Sequence, residues 1–198
     1  MARKRKTGAG PEDVRSLIMK TALGLFTSKG YFNTSIHDIR KEADISIGAI
    51  YHYFSSKEAI VKAIYDDLIS RMAGALTVII RELPTARDRS QAVLQFLFEM
   101  AEENTEMMHF ILYAQHREFL PTEPPICSSK PFELMQDIVK EGMVSGEIRQ
   151  MDPLVAAASL YGGAIRMIHL YIDGILVPPL TRYLADVWRC GWEGISRK

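Results

Sequence analysis

Residues 34–54 read TSIHDIRKEADISIGAIYHYF, and the fold turns on how that run divides. Ser35 followed three residues later by Asp38 is an N-terminal helix signature, in which the hydroxyl accepts from a free amide of the first turn and the carboxylate reaches back. The helix so opened buries Ile36, Ile39 and Ala43 on one side. Asp44-Ile45-Ser46 is too short for anything but a tight turn, and Ser46 is placed to cap a second short segment over 47–54. The run is therefore a helix, a turn and a helix.

Working outward, Val14, Leu17, Ile18, Thr21, Ala22, Leu25 and Phe26 follow the three-four spacing of a buried helical face, and Gly30 offers a left-handed stop. Downstream, Ser55 and Glu58 repeat the capping pair, and Ile60, Ile64, Leu68, Met72 and Leu76 carry one long helix to Pro84, roughly 40 Å for about 27 residues. Thr85 and Asp88 open a fifth helix with Ala92, Phe96 and Met100, and a sixth is predicted over 106–118. Pro121, Pro124, Pro125 and Pro131 make 119–131 a loop. A seventh helix is expected over 132–144, an eighth from Asp152-Pro153 and a ninth near Pro178-Pro179. No run alternates with period two. The expectation is an all-α protein of about nine helices, with a three-helix head over 1–55, including an arm over 1–10, and a helical body over 56–198.

The chain has 198 residues, 47% of them hydrophobic, with 24 Lys+Arg against 24 Asp+Glu, enough apolar mass for a real core and too much for disorder. The uncharged stretch 154–165 is shorter than the roughly 20 residues of a membrane span. No apolar segment follows the basic start Arg3-Lys4-Arg5-Lys6, and only Cys127 and Cys190 are available to pair, so a cytoplasmic protein without a membrane partner is expected. The zero net charge conceals an asymmetry: residues 1–62 carry +5 and residues 63–198 carry −5. A basic head on an acidic body points to a polyanion met by the N-terminal third alone.

The segment 21–68, TALGLFTSKGYFNTSIHDIRKEADISIGAIYHYFSSKEAIVKAIYDDL, resembles the DNA-binding head of the tetracycline-repressor (TetR/AcrR) family. It matches the pattern Ala-x-x-Leu-Phe-x-x-x-Gly-Tyr, Thr-Ser-Ile-x-x-Ile, Ser-x-Gly-x-x-Tyr-x-Tyr-Phe and Lys-Glu, over about residues 12–70. The resemblance implies a helix-turn-helix head on a ligand-binding and dimerisation body, in a homodimeric transcriptional regulator.

In such a motif the start of the second helix faces base edges. Here these residues are Ser46, Ile47, Gly48 and Ala49. Two small side chains permit close approach, and Ile47 suits a thymine methyl, but no Arg or Asn fork is present to read a base bidentately. Gly48 inside a helix costs roughly 1 kcal/mol against alanine, which close approach to DNA would explain. The resemblance implies phosphate contacts from Tyr51 and Lys57, and from Thr34 and Ser35 at a helix N-terminus. His52 is either a base contact or a bystander, and the arm Arg3–Lys6 either a tail or a minor-groove insertion.

The eighth helix carries two apolar seams. Leu154, Ala158, Tyr161, Ile165, Ile168, Ile172 and Ile175 repeat at four-three spacing, and Ala157, Leu160, Ala164, Met167 and Tyr171 do so beside them. With Trp188 and Trp192 of the ninth helix, Tyr161, Ile165, Ile168 and Ile172 are expected to form a dimer seam; burial inside one chain is the other reading. His109, Tyr113 and His116 make a polar stripe on the sixth helix, and Met100 and Met167 add soft lining, so these five are the expected ligand-pocket residues. No third ligand completes a metal site at His109 and His116, and no cofactor is expected. Cys127, in the proline loop, lacks a basic neighbour to activate it.

No catalytic constellation is visible, so an enzyme is not expected. The expectation is a homodimeric DNA-binding repressor that reads a near-palindromic operator and is released by a small, largely apolar effector. The alternatives are an all-helical interaction module binding acidic protein, or an activator or DNA-organising protein of the same fold without an effector.

Overall fold

The structure, a computed structural model, describes residues 11–113, 116–121, 123 and 128–197, with only the backbone at 11–13, 116 and 117. The arm Arg3–Lys6 and Cys127 lie outside the described residues. Two compact units are formed, one from the residues up to Asp67 with Glu118–Leu120, the other from the remainder.

In the first unit α1 is Pro11–Lys29, α2 is Ile36–Glu42 and α3 is Ile47–Tyr53, and α4, Lys57–Glu82, begins there. Gly30, at φ 84°, ends α1 in the left-handed region, where a Cβ would be strained. The capping box at α2 forms in full: Ser35 Oγ accepts from the Asp38 amide at 3.1 Å, and Asp38 Oδ2 accepts from the Ser35 amide at 2.8 Å. Ser46 caps α3 through the Ala49 amide, also at 3.1 Å. Ile18, Ala22, Phe26, Ile39, Ile50 and Phe54 are buried, with α2 packed against α1 and α3 against α2. The division into units falls inside α4, later than the boundary expected at 55/56. The reason is that Ile60, Val61, Ile64 and Tyr65, in the first turns of α4, are buried and belong to the first unit.

In the second unit the rest of α4 is followed by α5 (Ala86–Glu103), α6 (Thr105–Tyr113), α8 (Lys130–Ser145), α9 (Pro153–Ile172), a 3-10 turn over Leu180–Tyr183 and α10 (Leu184–Glu193). The sixth helix expected over 106–118 is instead two: α6 and the single turn α7, His116–Phe119, whose last two residues belong to the first unit. Among the described residues there is no strand, only an isolated bridge between Ile148 and Ser196.

α9 packs on α5, α8 and α10 and buries Ala156, Ala157, Leu160, Tyr161, Ala164 and Ile168. By length and composition it is, among the described helices, the one able to cross a membrane; the core helix of a soluble protein passes the same test, and this one carries Arg166. The Glu147 carboxylate accepts from the amides of Ala86 and Arg87 at 3.0 and 3.1 Å, satisfying the start of α5 from 60 residues away.

Candidate nucleic-acid interface

Capping decides which side of α3 is presented. Ile50 is buried against the unit's core, and Gly48, Tyr51 and His52 are exposed, with Ile47 and Ala49 half-exposed beside them. Tyr51 is 54% exposed, so its hydroxyl is available to a partner. Gly48 has ordinary helical φ, and a Cβ there would meet only Ser46 Oγ, at 3.9 Å. The unit's own packing therefore leaves room for a side chain at this position. Ser35 and Ser46 are exposed at the two caps.

Two expected phosphate contacts are placed differently. Thr34 is buried, 2% exposed, with Oγ1 at 2.9 Å from the Gly30 carbonyl oxygen and 3.3 Å from that of Leu25. It closes the end of α1 and cannot present its hydroxyl to DNA. Lys57 Nζ donates to the carbonyls of Tyr31 and Thr34, both at 2.9 Å, and lies 4.1 Å from the centroid of the Tyr31 ring. Its ammonium satisfies loop carbonyls that precede α2, a use that residue spacing does not reveal because the partners lie 26 and 23 positions away.

The residue that sequence reasoning passed over is Tyr31. Its ring stacks on Phe119 at 4.5 Å and 27°, tilts against Phe26 at 5.2 Å and meets Phe32 edge-on at 5.3 Å. Its hydroxyl donates to Glu58 Oε1 at 3.0 Å. Burial, with the Glu58 carboxylate adding to it, pushes the phenol well above its usual range and keeps it a donor. The Glu58 carboxyl is held low by backbone and Ser56 hydrogen bonds first, and less by Tyr31. Only the Gly-Tyr pair in the sequence hinted at this hub. Arg15 also lies over Phe54, 5.4 Å from the ring centroid.

Residues 18–64 match the family model of bacterial regulatory proteins of the tetR family, and residues 65–197 match the tetracyclin repressor-like C-terminal domain. The chain belongs to the tetracycline-repressor family. It is a helix-turn-helix transcriptional regulator. Among its relatives is YuxN of Bacillus subtilis, an HTH-type transcriptional regulator, 43% identical over 70 residues, 33% of this chain and 24% of YuxN. The repressor KstR2 of Mycolicibacterium smegmatis is 23% identical over 148 residues, 72% of this chain and 71% of the relative. In fold, the fatty acid degradation regulator FadR from Bacillus halodurans superposes with a TM-score of 0.79 at 16% identity, over 94% of this chain and 97% of that one. FadR from Bacillus subtilis, solved in complex with stearoyl-CoA, gives 0.75 at 20% identity, over 91% and 98%. These relatives are regulators rather than enzymes.

In this TetR-family chain the expected pocket residues divide. Met100 is buried and Met167 half-buried. Tyr113 is 39% exposed and donates to Asp173 Oδ1 at 2.6 Å, while its ring stacks on His109 at 4.8 Å and meets His169 edge-on at 5.2 Å. Tyr113 and His109 therefore brace α6 against the end of α9. The His116 side chain lies outside the described residues.

The residues of the expected dimer seam also divide. Tyr161, Ile168 and Trp188 are buried in the unit's own core, and Ile165, Ile172 and Trp192 are half-buried, Trp192 stacking on Trp188 at 5.1 Å. What α9 presents outward is Leu154, Val155, Ala158, Ser159, Gly163 and Arg166, of which Leu154 and Ala158 belong to the same seam as Tyr161 and Ile168. Both apolar seams bury residues, and periodicity alone does not say which members of a seam face the chain's own helices.

Proposed function

We propose that the protein is a homodimeric, cytoplasmic repressor that binds a near-palindromic operator and is released by a long-chain acyl thioester or a ligand of similar shape. The observation that carries DNA binding is the exposed start of α3, where Ser46, Ile47, Gly48, Ala49, Tyr51 and His52 stand clear of the core that holds Ile50. Ser35 supplies a further exposed polar group at the start of α2. Lys57 and Thr34 serve the same surface indirectly, by fixing the loop that leads into α2.

The choice of effector class rests on the likeness in fold to a regulator that binds stearoyl-CoA, together with the composition of the body's interior. Met100, Met108, Met135 and Met143 are all buried there, and methionine adapts its shape to long apolar guests. Within the same core the Tyr161 hydroxyl is fully buried and has no hydrogen-bond partner among the described residues. Ser90 lies beside it without reaching hydrogen-bond geometry, its own proton given to the Ala86 carbonyl at 2.6 Å. A second copy would sit on the outward strip of α9, where Gly162 and Gly163 permit close helix approach.

The deciding experiment is selection of bound duplexes from a random pool, repeated with stearoyl-CoA. Enrichment of a two-fold symmetric site, lost when the thioester is added, is the expected result. An enriched site that survives every acyl thioester would leave a regulator without this effector, and no enrichment at all would sink the operator reading. Effector and operator should oppose each other by about 1–3 kcal/mol, 5–150-fold in affinity, and reciprocally.

A further inference from the structure

We infer that Phe119 is a positioning residue of the DNA-binding unit, and that its seat on Tyr31 is the point at which the state of the body reaches that unit. This rests on the regulatory reading above and names a residue for it.

The DNA-binding unit is not built from one continuous stretch. Glu118–Leu120 belong to it, while their chain neighbours Arg117 and Pro121 belong to the other unit. Two of these three residues anchor the segment: Phe119 is 8% exposed and Leu120 6%. Phe119 stacks on Tyr31 at 4.5 Å, and Tyr31 joins the other parts that set where α2 begins. Its carbonyl takes one N–H of Lys57 and its ring faces the same ammonium, and its hydroxyl holds Glu58 in the first turn of α4. Lys57 also holds the Thr34 carbonyl, and Thr34 immediately precedes Ser35, the cap of α2.

Removing the Phe119 ring would therefore uncover Tyr31 and loosen the loop 31–35, and with it the α2 cap, while leaving every side chain that faces DNA chemically unchanged. Because the segment's covalent neighbours lie in the other unit, any rearrangement of the body that pulls on residues 117 or 121 acts on this seat. The seat is a small part of the unit's whole packing, so a ligand that binds two states with different affinity can shift it.

The test uses the full-length protein, an operator from the selection above and stearoyl-CoA as probe. Phe119→Ala should weaken operator binding by about tenfold and bring the ratio of operator affinities without and with stearoyl-CoA close to one, against 5–150-fold in the parent. Its affinity for stearoyl-CoA without DNA should stay unchanged, and Phe119→Tyr should restore both operator affinity and the ratio. A merely structural role would lower stability but leave the ratio intact, and that outcome overturns the inference. If Phe119→Ala does not fold, hydrogen exchange of the parent decides: the amides of Thr34 and Ile39 should exchange faster on addition of stearoyl-CoA, and unchanged exchange counts against the seat. If stearoyl-CoA does not release the parent, the effector reading fails separately, and a Phe119→Ala variant that binds operator as tightly as the parent then overturns the positioning role.

Discussion

Gly191 of α10 lies against the main chain of Leu160 in α9: a Cβ on Gly191 would sit 2.8 Å from the Leu160 carbonyl oxygen. A backbone atom cannot rotate away, so the helices must separate. Gly191→Ala should therefore destabilise the body by about 1–3 kcal/mol through overpacking. Gly74 in α4 is the control, since a Cβ there meets nothing within 4 Å, and Gly74→Ala should stabilise by up to about 1 kcal/mol through helix propensity. Thermal melts of both variants decide; equal shifts would mean that α9 and α10 are not in such close contact.

Ala158→Glu, on the exposed strip of α9, should leave the melting temperature of the isolated chain little changed while shifting sedimentation from dimer to monomer and lowering operator affinity. Ile168→Glu should instead unfold the body, because Ile168 is 1% exposed and an unpaired buried carboxylate has no partner to offset its desolvation. A dimer that survives Ala158→Glu would place the interface elsewhere.

Gly48→Ala separates folding from binding. The added methyl meets only Ser46 Oγ, at 3.9 Å, so the variant should be as stable as the parent or more so, by up to about 1 kcal/mol. If DNA approaches there, operator affinity should drop while stability rises. Changes at Ile47 or Ala49 should alter which sequences are selected, whereas Tyr51→Phe should weaken binding to all of them alike.

Lys57→Gln should lower the melting temperature, because two loop carbonyls lose a charged donor, at about 1–3 kcal/mol for an unsatisfied group. The slope of log K against log salt should stay nearly the same, since an ammonium spent on carbonyls releases no phosphate counterion. A slope shallower by close to one would restore the direct phosphate contact.

The acid limb of stability should come from the head. Asp38 is held below its usual range, first by the Ser35 hydroxyl, then by the Ser35 amide, and Glu58 is lowered by backbone and Ser56 hydrogen bonds. Depressed folded values mean that the stabilisation is complete above the ordinary carboxyl range, near pH 4, and is lost as pH falls below it. Melting temperature followed from pH 6 to 3 should fall in that lower range, and Asp38→Asn should flatten part of the fall. A profile unchanged by Asp38→Asn and Glu58→Gln would assign the acid limb to other groups.

Capping boxes, turn length and the three-four spacing of apolar side chains act within about four residues of one another, and for that reason the sequence by itself determined the helix-turn-helix: Ser35, Asp38 and Ser46 do in the fold what their spacing indicates. The order of the helices was legible on the same ground. What only the tertiary structure decided are relationships between residues far apart in the chain. Members of one seam on α9 differ only in what packs on them, so Tyr161 and Ile168 proved to be core and Leu154 and Ala158 surface. The Lys57 ammonium reached carbonyls rather than solvent, and the head borrowed Phe119 from beyond α6. Burial is a property of neighbours, and neighbours 26 or 88 positions away leave no periodic trace in the sequence they occupy.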